Sequence, residues 1–362
     1  MPQTVRRPTR TIRVGSLKIG GNAPITVQSM TNVFTHEIDR CVAQIQSLAE
    51  RGCELVRVAV PTPKDTAALP EILKQVTVLI IADVHFHYAR ALEAIEAGVH
   101  KIRLNPGNIQ DRRQVEEVIA ACRDKGTAIR IGVNEGSIRE RIDPRRKKEE
   151  REQDLVDLMV KKLAEYVQIF EDNGFENLVL SAKCHDAARC IAVNRAISRR
   201  FDYPLHLGVT HAGTVQTGAV RSAAALGALL AEGIGDTIRV SLAGDPLTEV
   251  EVGREILYSL GLRERTGPEL IACPTCGRTE IDLIGMANRV QEALRDIHRP
   301  ITVAVMGCVV NGPGEAEDAD VALCGGKDKA MIYCRGKKVA TAAAENAVEV
   351  LMEQIKVFLE KP

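Results

Sequence analysis

The chain has 362 residues and a formal net charge of zero, with 48 basic and 48 acidic side chains. This length allows two or three domains, or one large barrel with a smaller domain. The charge balance argues against binding of long nucleic acids, which needs a basic excess, and no apolar run reaches the ~18 residues of a membrane helix. Aromatic residues are only 3% and tryptophan is absent, so base-stacking surfaces are not expected.

The cysteine content and the N-terminal sequence indicate the cellular compartment. Ten cysteines are too few for a secreted disulfide scaffold of this length. The first ten residues are basic and lack the apolar segment of a signal peptide. We therefore expect a cytoplasmic protein, whose cysteines are core residues, metal ligands or nucleophiles.

Residues up to about 260 repeat one pattern, in which an apolar strand is followed by a polar loop and an amphipathic helix. Eight strands are predicted in chain order, at 25–30, 54–60, 78–83, 100–105, 128–133, 177–182, 204–210 and 237–243. Helices are predicted between them, for instance at 36–51, 88–97, 110–124, 185–200 and 217–231. This alternation predicts parallel strands and an α/β fold of the (β/α)8 TIM-barrel type. A doubly wound open sheet is the alternative, although no Gly-x-Gly-x-x-Gly follows the first strand.

Two segments depart from this repeat. A longer stretch between Asn134 and Asn177 carries a run of mixed charge at 143–154, which predicts a solvated helix start without a functional role. The pattern ends near residue 262, where 263–268 is typical of a linker. The sequence thus predicts a TIM-barrel domain at 1–262 and a smaller α/β domain at 263–362.

The second domain is predicted to hold a few elements around a glycine-rich loop. These are a helix at 280–296, a strand at 301–306, the loop at 307–315, strands at 319–324 and 329–334, and a final helix at 342–360.

The ten cysteines fall into two groups. Five are scattered through the barrel, where we expect core residues: Cys41, Cys53, Cys122, Cys184 and Cys190. The other five lie in the last 90 residues, where Cys273 and Cys276 form a Cys-x-x-Cys pair and Cys308 follows in the glycine-rich loop. Cys324 and Cys334 lie in strand-like segments and are expected to be bystanders.

The spacing of Cys273, Cys276 and Cys308 leaves two kinds of metal site open. A structural zinc ribbon would need a second pair at similar spacing, and none is present. The glycines around Cys308 allow the backbone to approach a bulky inorganic cluster, and Glu315 could supply an easily displaced carboxylate for a fourth iron. The pattern favours an iron–sulfur site, with zinc as the alternative.

Two segments around these cysteines resemble the cluster-binding region of the 4-hydroxy-3-methylbut-2-enyl diphosphate synthase family. They are A-C-P-T-C-G-R at 272–278 and V-M-G-C-V-V-N-G-P-G-E-A at 305–316. The resemblance extends through the barrel and so covers nearly the whole chain. The barrel segments are V-Q-S-M-T (27–31), V-R-V-A-V-P (56–61), I-A-D-V-H-F (81–86), I-R-L-N-P-G-N-I (102–109), R-I-G-V-N-E-G-S (130–137), P-L-H-L-G-V-T (204–210) and E-G-I-G-D-T-I-R-V-S-L (232–242).

The resemblance implies a [4Fe–4S] cluster held by Cys273, Cys276, Cys308 and Glu315. The implied enzyme is an iron–sulfur oxidoreductase of the methylerythritol phosphate route to isoprenoids. It opens and dehydrates 2-C-methyl-D-erythritol 2,4-cyclodiphosphate to 4-hydroxy-3-methylbut-2-enyl diphosphate, with two electrons from flavodoxin or ferredoxin.

The chain resembles the two-domain bacterial form of this family. That form implies a homodimer in which the partner's cluster domain covers each barrel mouth. Neither a nucleic acid nor a membrane is expected as a partner.

Active sites of (β/α)8 barrels lie at the carboxyl ends of the strands, and polar side chains are unusually frequent there. The expected substrate-binding residues are Arg57, Asp83, His85, Arg103, Asn105, Arg130, Asn134, Ser181, Lys183 and Arg239. Four arginines and one lysine around one mouth suit a diphosphate, because guanidinium groups pair with phosphate oxygens in bidentate fashion.

Different roles are expected within this set. Arg57, Arg103 and Lys183 are the first expected diphosphate contacts, followed by Arg130. The carboxylate and amide side chains are expected to position hydroxyls or to orient the arginines, and these are Asp83, Asn105 and Asn134.

One motif departs from the family pattern. The family's Thr-Glu-Ala-Gly reads Thr-His-Ala-Gly at 210–213. In the family that glutamate is assigned to the substrate pocket as an acid, and a histidine can also donate a proton near neutral pH. We therefore expect His211 to be a catalytic residue beside Glu315, while the change could equally mark an altered enzyme. Glu232 is expected to be a solvated residue at a helix end and not a replacement.

Two other functions fit part of the sequence. A barrel lyase acting on sugar phosphates, with Lys183 as a Schiff-base residue and a structural zinc in the second domain, would use the same basic mouth without a reductant. A non-enzymatic iron–sulfur carrier would leave the polar strand ends unexplained.

Overall fold

The computed structural model of the chain describes residues 4–84, 87–104, 111–138, 148–308 and 312–360, with the backbone alone at 137, 148–151, 313 and 315. The chain divides into two compact units, Met1–Arg263 (the barrel unit) and Glu264–Pro362 (the second unit). No helix among the described residues is both long enough and apolar enough to cross a membrane.

The barrel unit contains a sheet of eight parallel strands. They are β3 (Thr26–Met30), β4 (Leu55–Ala59), β5 (Leu79–Asp83), β6 (Lys101–Leu104), β7 (Ala128–Asn134), β8 (Leu178–Lys183), β9 (His206–Leu207) and β10 (Thr237–Ile238). Their order in the sheet is β8-β7-β6-β5-β4-β3-β10-β9. A parallel bridge between Leu180 and Leu205 joins the two edges, so the sheet closes on itself. The predicted TIM barrel is confirmed, and the open doubly wound sheet is not formed.

Eight helices of the described chain surround these strands. They are α1 (Ile38–Glu50), α2 (Pro63–Gln75), α3 (Tyr88–Glu96), α4 (Arg112–Lys125), α5 (Lys148–Asp172), α6 (Ala187–Arg200), α7 (Val215–Ala231) and α8 (Pro246–Ser259). Aspartate side chains cap three of them, because each accepts a hydrogen bond from a backbone N–H of the first turn: Asp111, Asp186 and Asp245. The charged run at 143–154 lies partly outside the described residues, and its described part begins α5.

The alternation of residues along the strands separates two environments. Valine, isoleucine and leucine side chains of one face join the helices in a single core, as Val56, Val58 and Ile80 do. The alternate positions face the barrel axis and include Arg57 and Asp83. The interior of this barrel is therefore mainly polar toward the carboxyl ends of the strands.

A β-hairpin closes the opposite end of the barrel. It consists of β1 (Ile12–Val14) and β2 (Leu17–Ile19), which pair antiparallel around a turn in which Gly15 has a φ of 56°. Its buried side chains pack against apolar residues of the barrel strands, namely Leu55, Ile81, Ala128 and Val179. This hairpin, which was not predicted, seals the amino-terminal end of the barrel with apolar contacts.

The second unit contains a five-stranded mixed sheet. Its strands are β11 (Pro268–Ala272), β12 (Ile301–Met306), β13 (Val321–Gly326), β14 (Lys329–Cys334) and β15 (Lys337–Ala343), in that order. β11, β12 and β13 are parallel, and β14 and β15 continue the sheet antiparallel.

Three helices complete the second unit: α9 (Leu283–Ala293), α10 (Gly312–Glu315) and α11 (Ala347–Glu360). The final helix was predicted to begin at 342, but residues 337–343 form β15 instead. This edge strand is rich in lysine and alanine and has a weak strand signal.

The two faces of this sheet differ in side-chain size. One face packs large apolar residues against α9 and α11, including Val303, Leu323 and Leu351. The other face presents small or flexible side chains to the segment around residues 316–319, including Ala304, Met306 and Ala322.

Candidate functional site

Six of the predicted substrate-binding residues lie on neighbouring strands with buried side chains. They are Arg57, Asp83, Arg103, Arg130, Ser181 and Lys183. Asn134 is the last residue of β7, and Arg239 directly follows β10. The structure therefore brings these eight residues to the carboxyl-terminal mouth of one barrel. His85 and Asn105 lie outside the described residues.

Two carboxylates partly neutralise the cations of the mouth. Asp83 accepts a hydrogen bond from Arg103 Nη1 at 3.3 Å, and its other oxygen lies 3.6 Å from Arg57 Nε. Glu249 of α8 pairs with Arg239 at 3.2 Å. Asp83 thus orients two arginines, as the sequence suggested, whereas Glu249 is a counter-charge that the sequence analysis missed.

Arg130 and Lys183 form no ion pair with a carboxylate in the part of the chain that is described. Burial and the neighbouring arginines lower the pKa of both side chains well below the ordinary values. Burial also lowers the pKa of Arg57 to about 10, although Asp83 opposes this shift. A mouth with five basic residues and two carboxylates is electrostatically incomplete, and an anion of two or three charges would complete it.

Gly208 lets the Lys183 amine reach its position. A Cβ atom at residue 208 would lie 3.0 Å from Lys183 Nζ and 2.6 Å from the carbonyl oxygen of Arg239. Any side chain would therefore displace both neighbours, and the glycine after β9 fixes where the lysine lies in the mouth.

His211 lies beside the end of β8. The backbone N–H of Thr210 donates a hydrogen bond to the carbonyl of Cys184 at 2.9 Å, which ties this segment to the residue after Lys183. His211 itself is exposed and has a φ of 52°, a conformation uncommon for a residue other than glycine. Glu232 pairs with Arg195 at the end of α7, so it is occupied on the barrel's outer surface.

The second unit brings the Cys-x-x-Cys pair and Cys308 to one end of its sheet. Ala272 of β11 pairs with Val305 of β12, so Cys273 follows one strand beside Met306 of the other. The Gly307 N–H donates to the Cys273 sulfur at 3.1 Å. Cys308 follows directly after Gly307, so the loops after two adjacent strands carry all three cysteines.

The sulfur atoms lie in surroundings that suit thiolate ligands. A backbone hydrogen bond from Arg278 lowers the pKa of Cys276, which is exposed. Backbone donors to cysteine sulfurs are typical of iron–sulfur sites, where they tune the cluster. The donor set therefore fits an iron–sulfur cluster.

Among the described residues no group of three or more His, Cys, Asp or Glu converges on a single metal ion. A cubane cluster does not need such convergence, because each thiolate binds a different iron. The side chain of Glu315, whose backbone lies in α10, is outside the description.

Six of the seven remaining cysteines are buried, unlike these three. The five barrel cysteines are all buried, and burial raises the pKa of each, to about 11 for Cys41 and Cys190 and about 12 for Cys53. Cys324 is also buried, whereas Cys334 is partly exposed. Buried thiols of raised pKa react poorly and bind metals poorly, so the five barrel cysteines suit a core role.

Comparisons with known proteins give the same division of the chain. Residues 9–254 match the family model of the GcpE TIM-barrel domain, and residues 269–357 match that of the GcpE protein C-terminal domain. A solved dihydropteroate synthase from Stenotrophomonas maltophilia is 16% identical with a TM-score of 0.50, covering 71% of this chain and 100% of that one. At this identity the likeness concerns the barrel fold alone.

Two curated relatives bear the same name, 4-hydroxy-3-methylbut-2-en-1-yl diphosphate synthase (flavodoxin). The protein of Symbiobacterium thermophilum is 49% identical over 351 residues, which are 97% of this chain and 93% of the relative. That of Geobacillus thermodenitrificans is 46% identical over 356 residues, 98% of this chain and 94% of the relative. These names do not favour the sugar-phosphate lyase. Near full-length similarity and two matching domain models show that the chain belongs to the GcpE family of 4-hydroxy-3-methylbut-2-en-1-yl diphosphate synthases.

Proposed function

We propose that this chain is an iron–sulfur oxidoreductase that converts 2-C-methyl-D-erythritol 2,4-cyclodiphosphate to 4-hydroxy-3-methylbut-2-en-1-yl diphosphate, with flavodoxin as electron donor. The observation that carries the proposal is the surplus of buried cations in the barrel mouth, in a chain whose relatives bear this enzyme's name. The reaction consumes two electrons and one proton, opens a ring C–O bond to phosphate and releases one hydroxyl as water.

The barrel residues bind and orient the cyclic diphosphate. Arg130 and Lys183 are the cations without a carboxylate partner in the described chain, so we assign them to the phosphate oxygens first. Arg57 and Arg103, held by Asp83, complete the clamp. Ser181 and Asn134 lie on the adjacent strand ends and are suited to the substrate hydroxyls. Binding between fixed cations also keeps water away from the reacting carbon–oxygen bond.

Cys273, Cys276, Cys308 and Glu315 are the proposed ligands of a [4Fe–4S] cluster. When bound, the cluster supplies the single-electron steps that a two-electron reductive opening requires. The lowered pKa of Cys276 favours the thiolate form that binds iron, and the Gly307 N–H holds the Cys273 sulfur in place by a hydrogen bond. His211 is the proposed proton donor for the departing hydroxyl, because it follows β9 at the mouth and is accessible.

We also propose that the active enzyme is a homodimer, in which each barrel mouth works with the partner's cluster domain. Support comes from the family resemblance and from the chemistry, since phosphate-binding cations and cluster ligands lie in separate units of the chain. Coexpression of an Arg103→Gln chain with a Cys308→Ser chain tests this arrangement. Activity recovered in the mixed dimer supports it, and two inactive partners that stay inactive together overturn it.

Anaerobic reconstitution with iron and sulfide, followed by an assay with the cyclodiphosphate and dithionite, tests the function itself. We expect a brown protein with about four irons per chain that releases 4-hydroxy-3-methylbut-2-en-1-yl diphosphate. A colourless, zinc-loaded chain with full activity would overturn the proposal.

A further inference from the structure

A group of fully buried polar side chains lies on the strands of the same barrel. We call it the buried polar layer, and it consists of Thr26, Gln28, Lys101, Ser181, His206 and Thr237. Every member is at most 3% exposed. Among the described residues their side-chain nitrogen and oxygen atoms have no hydrogen-bond partner. So many unsatisfied buried groups in one layer are unusual, because buried polar groups are nearly always paired.

Lys101 is the lysine of this layer, and its amine can bind a proton and become positively charged. It lies on β6, where its neighbours across the sheet are Ile81 and Ala128. These two residues contact the hairpin that seals the barrel's amino-terminal end. The Lys101 side chain is 0% exposed, so neither end of the barrel gives its amine free access to water.

The ionisable groups inside the barrel are nearly all basic, and Arg130 and Arg57 act most directly on Lys101. The groups on the barrel strands and directly after them are Arg57 (β4), Asp83 (β5), Arg103 (β6), Arg130 (β7), Lys183 (β8), His206 (β9) and Arg239 (after β10), while β3 contributes only Thr26 and Gln28. Asp83 contacts two of these arginines, and Glu249 of α8 is engaged by a third. No carboxylate of the described chain pairs with Lys101.

An ammonium group in this position is strongly disfavoured. It would lose its hydration, find no acceptor and stand beside other cations. Burial, together with Arg130 and Arg57, accordingly lowers the pKa of Lys101 well below its ordinary value. A diphosphate held by the cations of the same barrel reverses that balance, because its negative charges act through a buried interior of low dielectric constant.

We propose that Lys101 is a neutral amine in the free protein and takes up one proton when the cyclic diphosphate enters the barrel. This inference rests on the proposed function, since it assumes that substrate. The proton comes from the solvent buffer and forms an N–H bond on the amine lone pair, and no other bond changes. Lys101 is thus a positioning residue, which adds a charge to the site only when the anion is present.

The sign of the coupling follows from linkage. Because the bound state raises the affinity of Lys101 for a proton, the resulting gain in substrate affinity is fully present below the pKa of the free state. It is lost as the pH rises through the pKa of the bound state. Between these limits the Kd for the diphosphate rises about tenfold per pH unit if one proton is taken up. The cyclic diphosphate itself has no ionisation near neutral pH, since each phosphorus carries one strongly acidic oxygen.

Calorimetric titration measures this proton directly. The oxidised, cluster-loaded enzyme is titrated anaerobically with the cyclodiphosphate, without reductant, in several buffers of different ionisation enthalpy at about pH 8. The slope of binding enthalpy against buffer enthalpy gives the number of protons. We expect an uptake of about one proton per chain in the unaltered protein.

Two variants assign the proton to Lys101. Lys101→Met removes the amine, and Lys101→Gln keeps a polar group in the layer in case the first variant fails to fold. We expect both to lower the uptake by about one proton and to flatten the pH dependence of Kd. Lys74→Met, on the exposed lysine of α2, is the matched control and should leave the uptake unchanged.

Three outcomes separate this inference from the proposed function. Binding without proton uptake overturns the role of Lys101 and leaves the function standing. Uptake that persists in both Lys101 variants overturns it in the same way and assigns the proton to another buried base, such as Lys183 or His206. No binding of the cyclodiphosphate and no turnover with dithionite overturns the proposed function instead.

Discussion

The cations of the barrel mouth lie on strands, and six of the predicted binding residues there are buried. The three cysteines of the second unit lie in loops after strands, where Cys273 and Cys308 are partly exposed and Cys276 is fully exposed. The first centre is held in place by the barrel fold itself. The second has weaker support from its own chain, beyond the backbone hydrogen bonds to its sulfurs.

This difference indicates how each centre obtains its geometry. The cations lose their hydration when the barrel folds. The proposed phosphate site is therefore already ordered before any ligand binds. Metal binding at exposed cysteines instead contributes order to the loops that carry them. Loss of the cluster should therefore spare the phosphate site, and loss of a barrel cation should spare the cluster.

The largest effect is expected from Cys308→Ser. It removes one thiolate of the cluster, so activity should fall by about 10²-fold or more, with a matching loss of iron and brown colour. The Kd of the cyclodiphosphate should stay within about twofold, because the barrel is untouched. Cys334→Ser on β14 is the matched control. Undiminished iron content in Cys308→Ser would contradict the ligand assignment.

Arg130→Gln tests the second expectation, that loss of a barrel cation spares the cluster. The variant loses a charge-assisted contact of about 1.5–3 kcal/mol, so the Kd of the cyclodiphosphate should rise by roughly 10- to 100-fold. Iron content and the absorption spectrum should not change. Arg112→Gln, on an exposed arginine of α4, is the control, and equal binding by both variants would remove Arg130 from the site.

His211 is expected to affect turnover and not binding. His211→Gln should lower kcat by about 10²-fold, since a positioned proton donor contributes on that order. His211→Glu should recover activity, because it restores a carboxylic acid as proton donor at this position. The measurement is kcat with dithionite as reductant. Equal kcat values in all three proteins would show that His211 donates no proton.

The smallest effect concerns the hairpin that closes the barrel. Ile19→Val removes one buried methylene group and should lower the free energy of unfolding by about 1 kcal/mol in urea titrations. Ile284→Val, the same change at an exposed residue of α9, should have almost no effect. Neither variant should alter the Kd of the cyclodiphosphate. An altered Kd in Ile19→Val would mean that the hairpin affects the shape of the binding site.

The parts of this fold that were predictable have strong local signals. Alternating apolar strands and amphipathic helices identified the barrel, and polar residues at strand ends identified its mouth. The cysteine spacing predicted a shared metal site, and the structure brings the three cysteines to the ends of β11 and β12, while the metal itself stays a prediction. The barrel and its mouth were predictable because their patterns involve residues near one another in sequence.

The features that were missed have a weak local signal or depend on distant contacts. Strands of three residues, as in the hairpin, are too short for a periodic signal. Glu249 pairs with Arg239, ten residues earlier, and accepts a hydrogen bond from Ser29, which only the closed barrel brings beside it. Lys101 and His206 are visible in the sequence as polar residues within predicted strands, but their lack of partners among the described residues is a property of the folded interior.

Among the described residues the hairpin closes the amino-terminal end of the barrel. With the proposed binding site at the carboxyl ends of the strands, the cyclodiphosphate enters and the linear diphosphate leaves on that same side. A new substrate molecule therefore cannot push the product out from behind. Product departure precedes each new turnover, and the product competes directly with the substrate for the same cations.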